Sequence, residues 1–243
     1  MGFIIGALKI LILLGFLVFI HEGAHFLIAK KSGVKVLEFS IGFGKVLFSK
    51  QGKETKYCVR IVPLGGFVRM LGEEESVDDE KSFSNASVWK RLAIVFAGPL
   101  INIIFGLVLF WILASIYNKS AYNGLLVTKR YIVLLFKSIA GLFSKGIKNA
   151  DVVGPVGIST MIARTSGVFD FFYLMAVISI SLGVTNLLPI PGLDGGKILL
   201  LIVEIIKGEK VSEELELKLT ALGMLFLITL ALFITVKDVG RLF

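Results

Sequence analysis

The sequence predicts an α-helical polytopic membrane protein, with about four transmembrane helices and a small membrane-associated β-region after the first of them. Three observations carry this. The 243 residues are 56% hydrophobic and only 18% charged, with a mean hydropathy of +0.87, so the chain lacks the polar surface that a soluble domain of this length exposes. Apolar runs long enough to cross a bilayer recur along it. Between the first two of these runs the pattern changes to short β-branched and aromatic stretches punctuated by Gly and Lys, which is strand and turn chemistry.

Helix one is expected over about residues 3–29, ending in Lys30-Lys31-Ser32-Gly33, positive charge in a last turn followed by a helix stop. The run continues past twenty residues and lacks a small-residue cleavage site, so it reads as a retained helix rather than a signal peptide. Residues 34–71, ending in "IVPLGGFVRML", form the β-region. "GEEESVDDEKS" reads as a solvated acidic linker, since its carboxylate spacing fits no calcium loop. Helix two follows over about residues 89–117 after the capping candidates Asn85 to Ser87, and it holds Pro99 and Asn102 inside the apolar "FAGPLIN". Asn102 is expected to serve helix packing, because a buried amide needs a hydrogen-bond partner.

Residues 118–150 space apolar side chains at helical intervals with six Lys or Arg between them, as in an amphipathic helix lying at the membrane surface. "DVVGPVGISTMIARTSG" reads as a Gly-rich connector. Helix three, about residues 169–188, breaks at "NLLPIPGLDGG"; a short helix over about 195–207 and helix four over about 215–236 complete the chain. The organisation is thus a first half, 1–117, a short extracytoplasmic or interfacial connector, 118–168, and a second half, 169–243.

A net charge of +8 on such a chain points to membrane lipid as a partner and not to nucleic acid, because Lys and Arg beside spans set topology and touch anionic headgroups. Residues 30–91 hold twelve Lys or Arg, and the loop between helices three and four holds Lys207 and Lys210. The positive-inside rule puts both regions in the cytoplasm and the termini outside. The single Cys58 excludes an intramolecular disulfide.

The chemistry is concentrated in "HEGAH" of helix one. Ionisable groups at bilayer depth are costly and mark function. His21 and His25 are the only histidines in the chain. At i and i+4 they share a helix face and can aim two imidazoles at one point. Glu22 beside them can reach a metal-bound water without being a ligand, the H-E-x-x-H arrangement of zinc peptidases. Two imidazoles need a third protein ligand if one tetrahedral position is left for water. The acids of residues 73–80 lie in the soluble loop, and Glu213, Glu214 and Glu216 are ordinary helix N-terminal charges. Glu204 is a distant second choice on an apolar helix. Asp194 ranks first, because it sits where helix three breaks at two prolines and turns on Gly195-Gly196, and irregular backbone at membrane depth is tolerated only where it is buried or lines a cavity. Its other reading is a helix N-cap, and the two roles are not exclusive. A transporter would also use broken helices, but it would show paired breaks in two related halves, and no repeat is visible.

"HEGAH" followed by "NLLPIPGLDGG" resembles the site-2 proteases, zinc metalloproteases that cut substrates inside the membrane. "IVPLGGFVRMLGEE", "FAGPLIN" and "VVGPVGI" are similar to the bacterial RseP-type branch. The resemblance implies Zn²⁺ held by His21, His25 and Asp194, with Glu22 as general base. It implies that Asn186, in the N-x-x-P motif with Pro189, holds substrate backbone. It also implies that the segment around Gly65, Gly66, Phe67 and Val68 presents substrate as an extended strand. A strand edge can accept the freed backbone of an unwound helix by β-addition, and glycine permits close approach. The substrates implied are single-pass membrane proteins or peptides, such as an anti-sigma factor or a remnant signal peptide, cut by a monomer in the bacterial cytoplasmic membrane. That branch usually carries one or two PDZ domains between helices two and three. Only about 36 residues separate Tyr117 from Gly154, too few for a domain of about 80–100 residues, so this chain is either a minimal member or a deletion near "NKSAYNGLL".

Overall fold

The computed structural model describes residues 2–73, 75, 77–145 and 154–240. The order of elements is α1 (Gly2–Lys31), β1 (Val36–Gln51), β2 (Lys56–Met70), α2 (Val88–Tyr117), α3 (Ala121–Lys145), α4 (Pro155–Arg164), α5 (Val168–Asn186), α6 (Asp194–Lys207) and α7 (Glu213–Gly240). Four of the helices, α1, α2, α5 and α7, are long and apolar enough to cross a membrane. Their outward residues are also apolar, as with Leu8, Ile12, Phe16 and Phe19 on α1, since lipid and core make the same demand of a spanning helix.

On α1 the inward ridge is Leu13, Leu17, His21, His25 and Ala29, all buried and four residues apart. The two histidines therefore continue a packed face. Leu13 and Leu17 meet Ile162 of α4 and Met175 of α5, while Ala29 joins Val36 and Met70 of the hairpin, Ile94 and Val95 of α2 and Leu201 of α6. Helices α2 and α5 pack through small residues, the device membrane bundles use for close backbone approach. A Cβ on Gly106 would lie 2.6 Å from Ile180 Cγ1, and one on Gly183 2.6 Å from the Pro99 carbonyl oxygen.

Strands β1 and β2 form an antiparallel sheet that bends sharply. Phe39, Ser40 and Ile41 each have two partners in β2: Val68 and Tyr57, Phe67 and Cys58, Gly66 and Val59. The start of β1 is thereby enclosed between the two halves of β2. The bend uses Gly42 at φ +89°, whose Cβ would stand 2.6 Å from the Val62 carbonyl oxygen, a conformation glycine adopts without strain. Buried Glu38 fastens the fold of the sheet by pairing with Arg60 at 2.6 Å and Arg69 at 3.6 Å. Burial would raise the Glu38 carboxyl, but the Arg60 guanidinium outweighs it and holds it below the usual carboxylate range.

Two stretches differ from their sequence reading. Helix α3 is not a free surface helix. It folds back along the C-terminal half of α2: the Trp111 indole donates to the Ala121 carbonyl at 3.2 Å, and Phe110 stacks on Tyr131 at 4.5 Å. The Gly-rich connector contains α4, started by Pro155 at its first turn, where a fixed φ suits a helix. The Asp238 carboxylate of α7 accepts the Gly157 N–H at 2.9 Å and so caps α4 from outside. Residues 146–153, where those two readings meet, lie outside the described residues.

Gly106→Ala is expected to destabilise the bundle by about 1–3 kcal/mol, the usual cost of overpacking. Gly15→Ala, where an added Cβ meets nothing within 4 Å, should be neutral. Thermal unfolding of the two variants in detergent measures the difference; equal melting temperatures would refute the close α2–α5 contact.

Candidate metal centre

Three ligand-type atoms converge beside the C-terminal third of α1. His21 Nε2 lies 3.1 Å from Asp194 Oδ2 and 3.2 Å from His25 Nε2, and His25 Nε2 lies 3.6 Å from Asp194 Oδ2. Ligand atoms from all three residues fall within 4.8 Å of one another. His21 and His25 are 7% and 8% exposed. Two imidazoles and a carboxylate so placed match the nitrogen and oxygen donors of a divalent-metal site with an open position.

Each element delivers its ligand for a local reason. The i, i+4 spacing stacks the histidines on one face of α1. The chain break after α5 carries Asp194 to the site. Leu193 is the N-cap of α6 and makes no side-chain cap bond, so Asp194 opens the helix as its first residue with its carboxylate directed at the histidines. The N-cap reading is thus replaced by a ligand-type placement. Gly195 and Gly196 allow the loop to fold against the helix start, because a Cβ would lie 2.2 Å from the Leu188 and 2.5 Å from the Ile190 carbonyl oxygen.

Helix α2 forms the wall behind the histidines. A Cβ on Gly98 would stand 2.2 Å from His25 Nε2 and 2.8 Å from His21 Nε2, so only glycine leaves the rings their place. His25 Nδ1–H donates to the Ile94 carbonyl at 2.8 Å, which leaves Nε2 bare for a ligand role. Asn102 is fully buried, and its amide lies 3.3 Å from His21 Nδ1. The sequence reading assigned Asn102 to helix packing. Its backbone carbonyl does accept the Ser179 hydroxyl of α5 at 2.8 Å, but its side chain faces a histidine.

A cavity of about 800 Å³ opens from this point, lined among others by His21, Glu22, His25, Phe67, Val68 and Asp194. Gly66 sits against Glu22, since a Cβ there would lie 3.2 Å from Glu22 Cγ and 2.7 Å from the Ser40 carbonyl oxygen. Gly65 differs: its φ of +118° and the Phe43 ring against it make it a turning point rather than a contact. Among the described residues, Gly66, Phe67 and Val68 pair only with β1, so the site borders a strand edge. Asn186 ends α5 half-buried and Pro189 stands exposed in the following loop; the cavity-lining residues include neither.

Two of the carboxylates around the cavity are paired with basic side chains. Glu204, second choice as a ligand, is held instead by two hydrogen bonds from Arg91, one of them at 3.0 Å. Glu73, read as part of a solvated linker, accepts a bond from Lys197 of α6 at 2.7 Å. Burial would lower the Lys197 ammonium, but the Glu73 carboxylate keeps it above the usual lysine value. Lys197 stands one turn beyond Asp194, a spacing that could have flagged it in the sequence; nothing local flagged Glu73.

Residues 9–230 match the family model described as peptidase family M50. A presumed zinc metalloprotease of Clostridium acetobutylicum is 30% identical, over 93% of this chain and 94% of the relative. One of Fusobacterium nucleatum is 28% identical, over 96% and 98%. One of Thermotoga maritima reaches 49% identity across 42% of this chain and 21% of the relative. The Clostridium alignment runs to 320 positions, longer than the chain itself, so that relative carries interior residues that this chain lacks.

Gly98→Ala should weaken divalent-metal binding at least about tenfold, the order seen when a ligand's support is disturbed, because its methyl takes the place of the His25 ring edge. Elemental analysis of purified protein after dialysis checks this. Metal content equal to wild type would show that α2 does not back the site.

Proposed function

The chain belongs to peptidase family M50, the site-2 protease family of zinc metalloproteases, and from that premise we propose that it hydrolyses peptide bonds inside transmembrane segments of single-pass membrane proteins. The single observation that carries this reading is the meeting of His21, His25 and Asp194 beside Glu22 and an open strand edge, in a cavity among apolar helices. His21 and Asp194 come from the two ends of the chain, so the proposed halves, 1–117 and 169–243, complete the centre only together.

His21, His25 and Asp194 are assigned as ligands of Zn²⁺. Zinc bound there supplies Lewis acidity, polarising a peptide carbonyl and making water nucleophilic near neutral pH. Glu22 takes the proton from the attacking water and returns it to the leaving amine. A peptide bond within a helix is shielded by its own hydrogen bonds, so the substrate must first unwind. The edge formed by Gly66, Phe67 and Val68, entered through the turn at Gly65, receives the freed backbone by β-addition, and Gly66 brings it against Glu22. Asn186 and Pro189 are assigned to holding the substrate backbone from the loop side. The enzyme works as a monomer in the bacterial cytoplasmic membrane, with residues 30–91 and the α6–α7 loop in the cytoplasm. Its substrates are of the anti-sigma factor or remnant signal peptide kind.

Glu22→Gln is expected to lower cleavage of a model transmembrane peptide by about 10²- to 10⁴-fold, the usual contribution of a general base, while retaining zinc. Asp194→Ala should lose zinc and activity together, and Glu204→Ala should keep its zinc. Zinc content and peptide cleavage, measured on the same preparations, check all three. Loss of zinc from Glu22→Gln, or its retention by Asp194→Ala, would mean the roles are misassigned.

In the family branch resembled here, PDZ domains are thought to exclude substrates with bulky extracytoplasmic parts. This chain should therefore cut one transmembrane substrate at similar rates with and without a folded extracytoplasmic domain. Side-by-side cleavage in detergent measures it, and a strong preference for the trimmed form would place size exclusion in the membrane core.

A further inference from the structure

A metal centre built on His21 and His25 works only if both imidazoles present Nε2. His25 is fixed by the Ile94 carbonyl, which can only accept. His21 has a different partner. We infer that Asn102 is a positioning residue for His21: its side-chain carbonyl accepts the His21 Nδ1–H and fixes the ring in the tautomer that offers Nε2. The inference rests on the assignment of His21, His25 and Asp194 as ligands.

Asn102 is 0% exposed, one turn beyond Gly98 on the same face of α2, and its backbone is braced by Ser179 of α5. Its amide nitrogen lies 3.3 Å from His21 Nδ1, and its Oδ1 is buried without a hydrogen-bond partner. An amide is donor on one side and acceptor on the other. With nitrogen toward the ring, the amide calls for a bare Nδ1 and so puts the ring proton on Nε2, the atom 3.1 Å from Asp194 Oδ2. A ligand role at Nε2 reverses this. The proton then sits on Nδ1, and the amide nitrogen would oppose it donor to donor. A half-turn of the amide about Cβ–Cγ removes that conflict. It exchanges two atoms of similar size within one buried plane, moves no backbone, and gives the NH₂ the space that Oδ1 now occupies.

His25 with Ile94 and His21 with Asn102 would then form matching pairs, both supplied by α2. Partners of this kind raise ligand basicity and hold ring orientation. The "FAGPLIN" segment thereby combines room for the rings at Gly98 with orientation at Asn102.

The experiment uses the full chain purified in detergent, as wild type, His21→Ala, Asn102→Leu and Asn102→Asp. Leucine keeps the approximate shape without a hydrogen bond, and aspartate keeps an acceptor oxygen in place. Zinc affinity is measured by competition with a chromogenic chelator, and the imidazoles are followed by ¹⁵N-histidine NMR, in which the chain gives two rings only. Wild type should bind zinc, and His21→Ala should not. Asn102→Leu should bind about tenfold to a hundredfold more weakly, as outer partners of metal ligands do, and its His21 Nδ1–H should exchange faster with water. Asn102→Asp should keep both the affinity and the protected Nδ1–H. Wild-type zinc affinity in a folded Asn102→Leu, or an Asn102→Asp as impaired as Asn102→Leu, would overturn the inference while leaving the ligand set intact. Wild type without zinc affinity would remove the ligand set and the inference together. If Asn102→Leu does not fold, the zinc-loaded wild-type and Asn102→Asp spectra decide: a His21 Nδ1–H without hydrogen-bond protection in both is the overturning result.

Discussion

Two imidazoles from α1 and a carboxylate from α6 have to meet at one point among apolar helices, and much of the fold serves that meeting. A carboxylate and two rings buried without partners would each carry a desolvation cost of several kcal/mol. The structure meets the cost by mutual contact and by support from behind. Gly98 clears the space, the Ile94 carbonyl fixes one ring, and Gly195 and Gly196 let the loop after α5 pack closely enough to deliver Asp194. The ridge of α1 that presents the histidines is the same ridge that buries Leu13, Leu17 and Ala29. Packing and chemistry therefore share one helical face.

The charges farther out obey the same rule. Glu204 with Arg91, Glu73 with Lys197 and Glu38 with Arg60 are each paired across different elements. A buried pair of this sort adds little net stability against an apolar replacement, yet breaking one partner away is expensive. Their value here is geometric. The Lys197–Glu73 pair ties the helix that carries Asp194 to the end of the strand that borders Glu22, and Arg91–Glu204 ties the same helix to α2. The strand edge and the His21, His25 and Asp194 group are thus held in one frame. The Glu38–Arg60 pair then keeps the bent sheet from opening at Gly42.

The stretch between α2 and α5 stands apart from this frame. Helices α3 and α4 occupy the region between α2 and α5 in sequence, and each docks on the bundle, α3 along α2 and α4 against α1 and α7. Among the described residues neither supplies a ligand-type atom to the candidate metal centre, and Asp194 and the histidines are joined by elements outside that stretch. The geometry of the His21, His25 and Asp194 group is set by α1, the hairpin, α2 and α6.

The sequence by itself determined whatever depends on near neighbours. Hydropathy marked α1, α2, α5 and α7, alternation marked the hairpin, and the i, i+4 spacing put His21 and His25 on one face, because these are properties of a few consecutive turns or strand residues. The position of Asp194 at a helix break was legible too, since two prolines and two glycines announce it. Tertiary structure alone decided the partners. Arg91 lies 113 positions from Glu204 and Glu73 124 from Lys197, so neither pairing leaves a local trace, and without them Glu204 looked free and Glu73 looked solvated. Helix α4 was hidden because Gly157 and its hydroxyl residues lower helix propensity, and its N-terminus is satisfied by Asp238 from the far end of the chain. Asn102 was visible as an amide in an apolar run, but whether it braced a helix or a histidine depended on how α2 is rotated against α1. That rotation is fixed by Gly98 under the two rings, a contact between helices that no single segment contains.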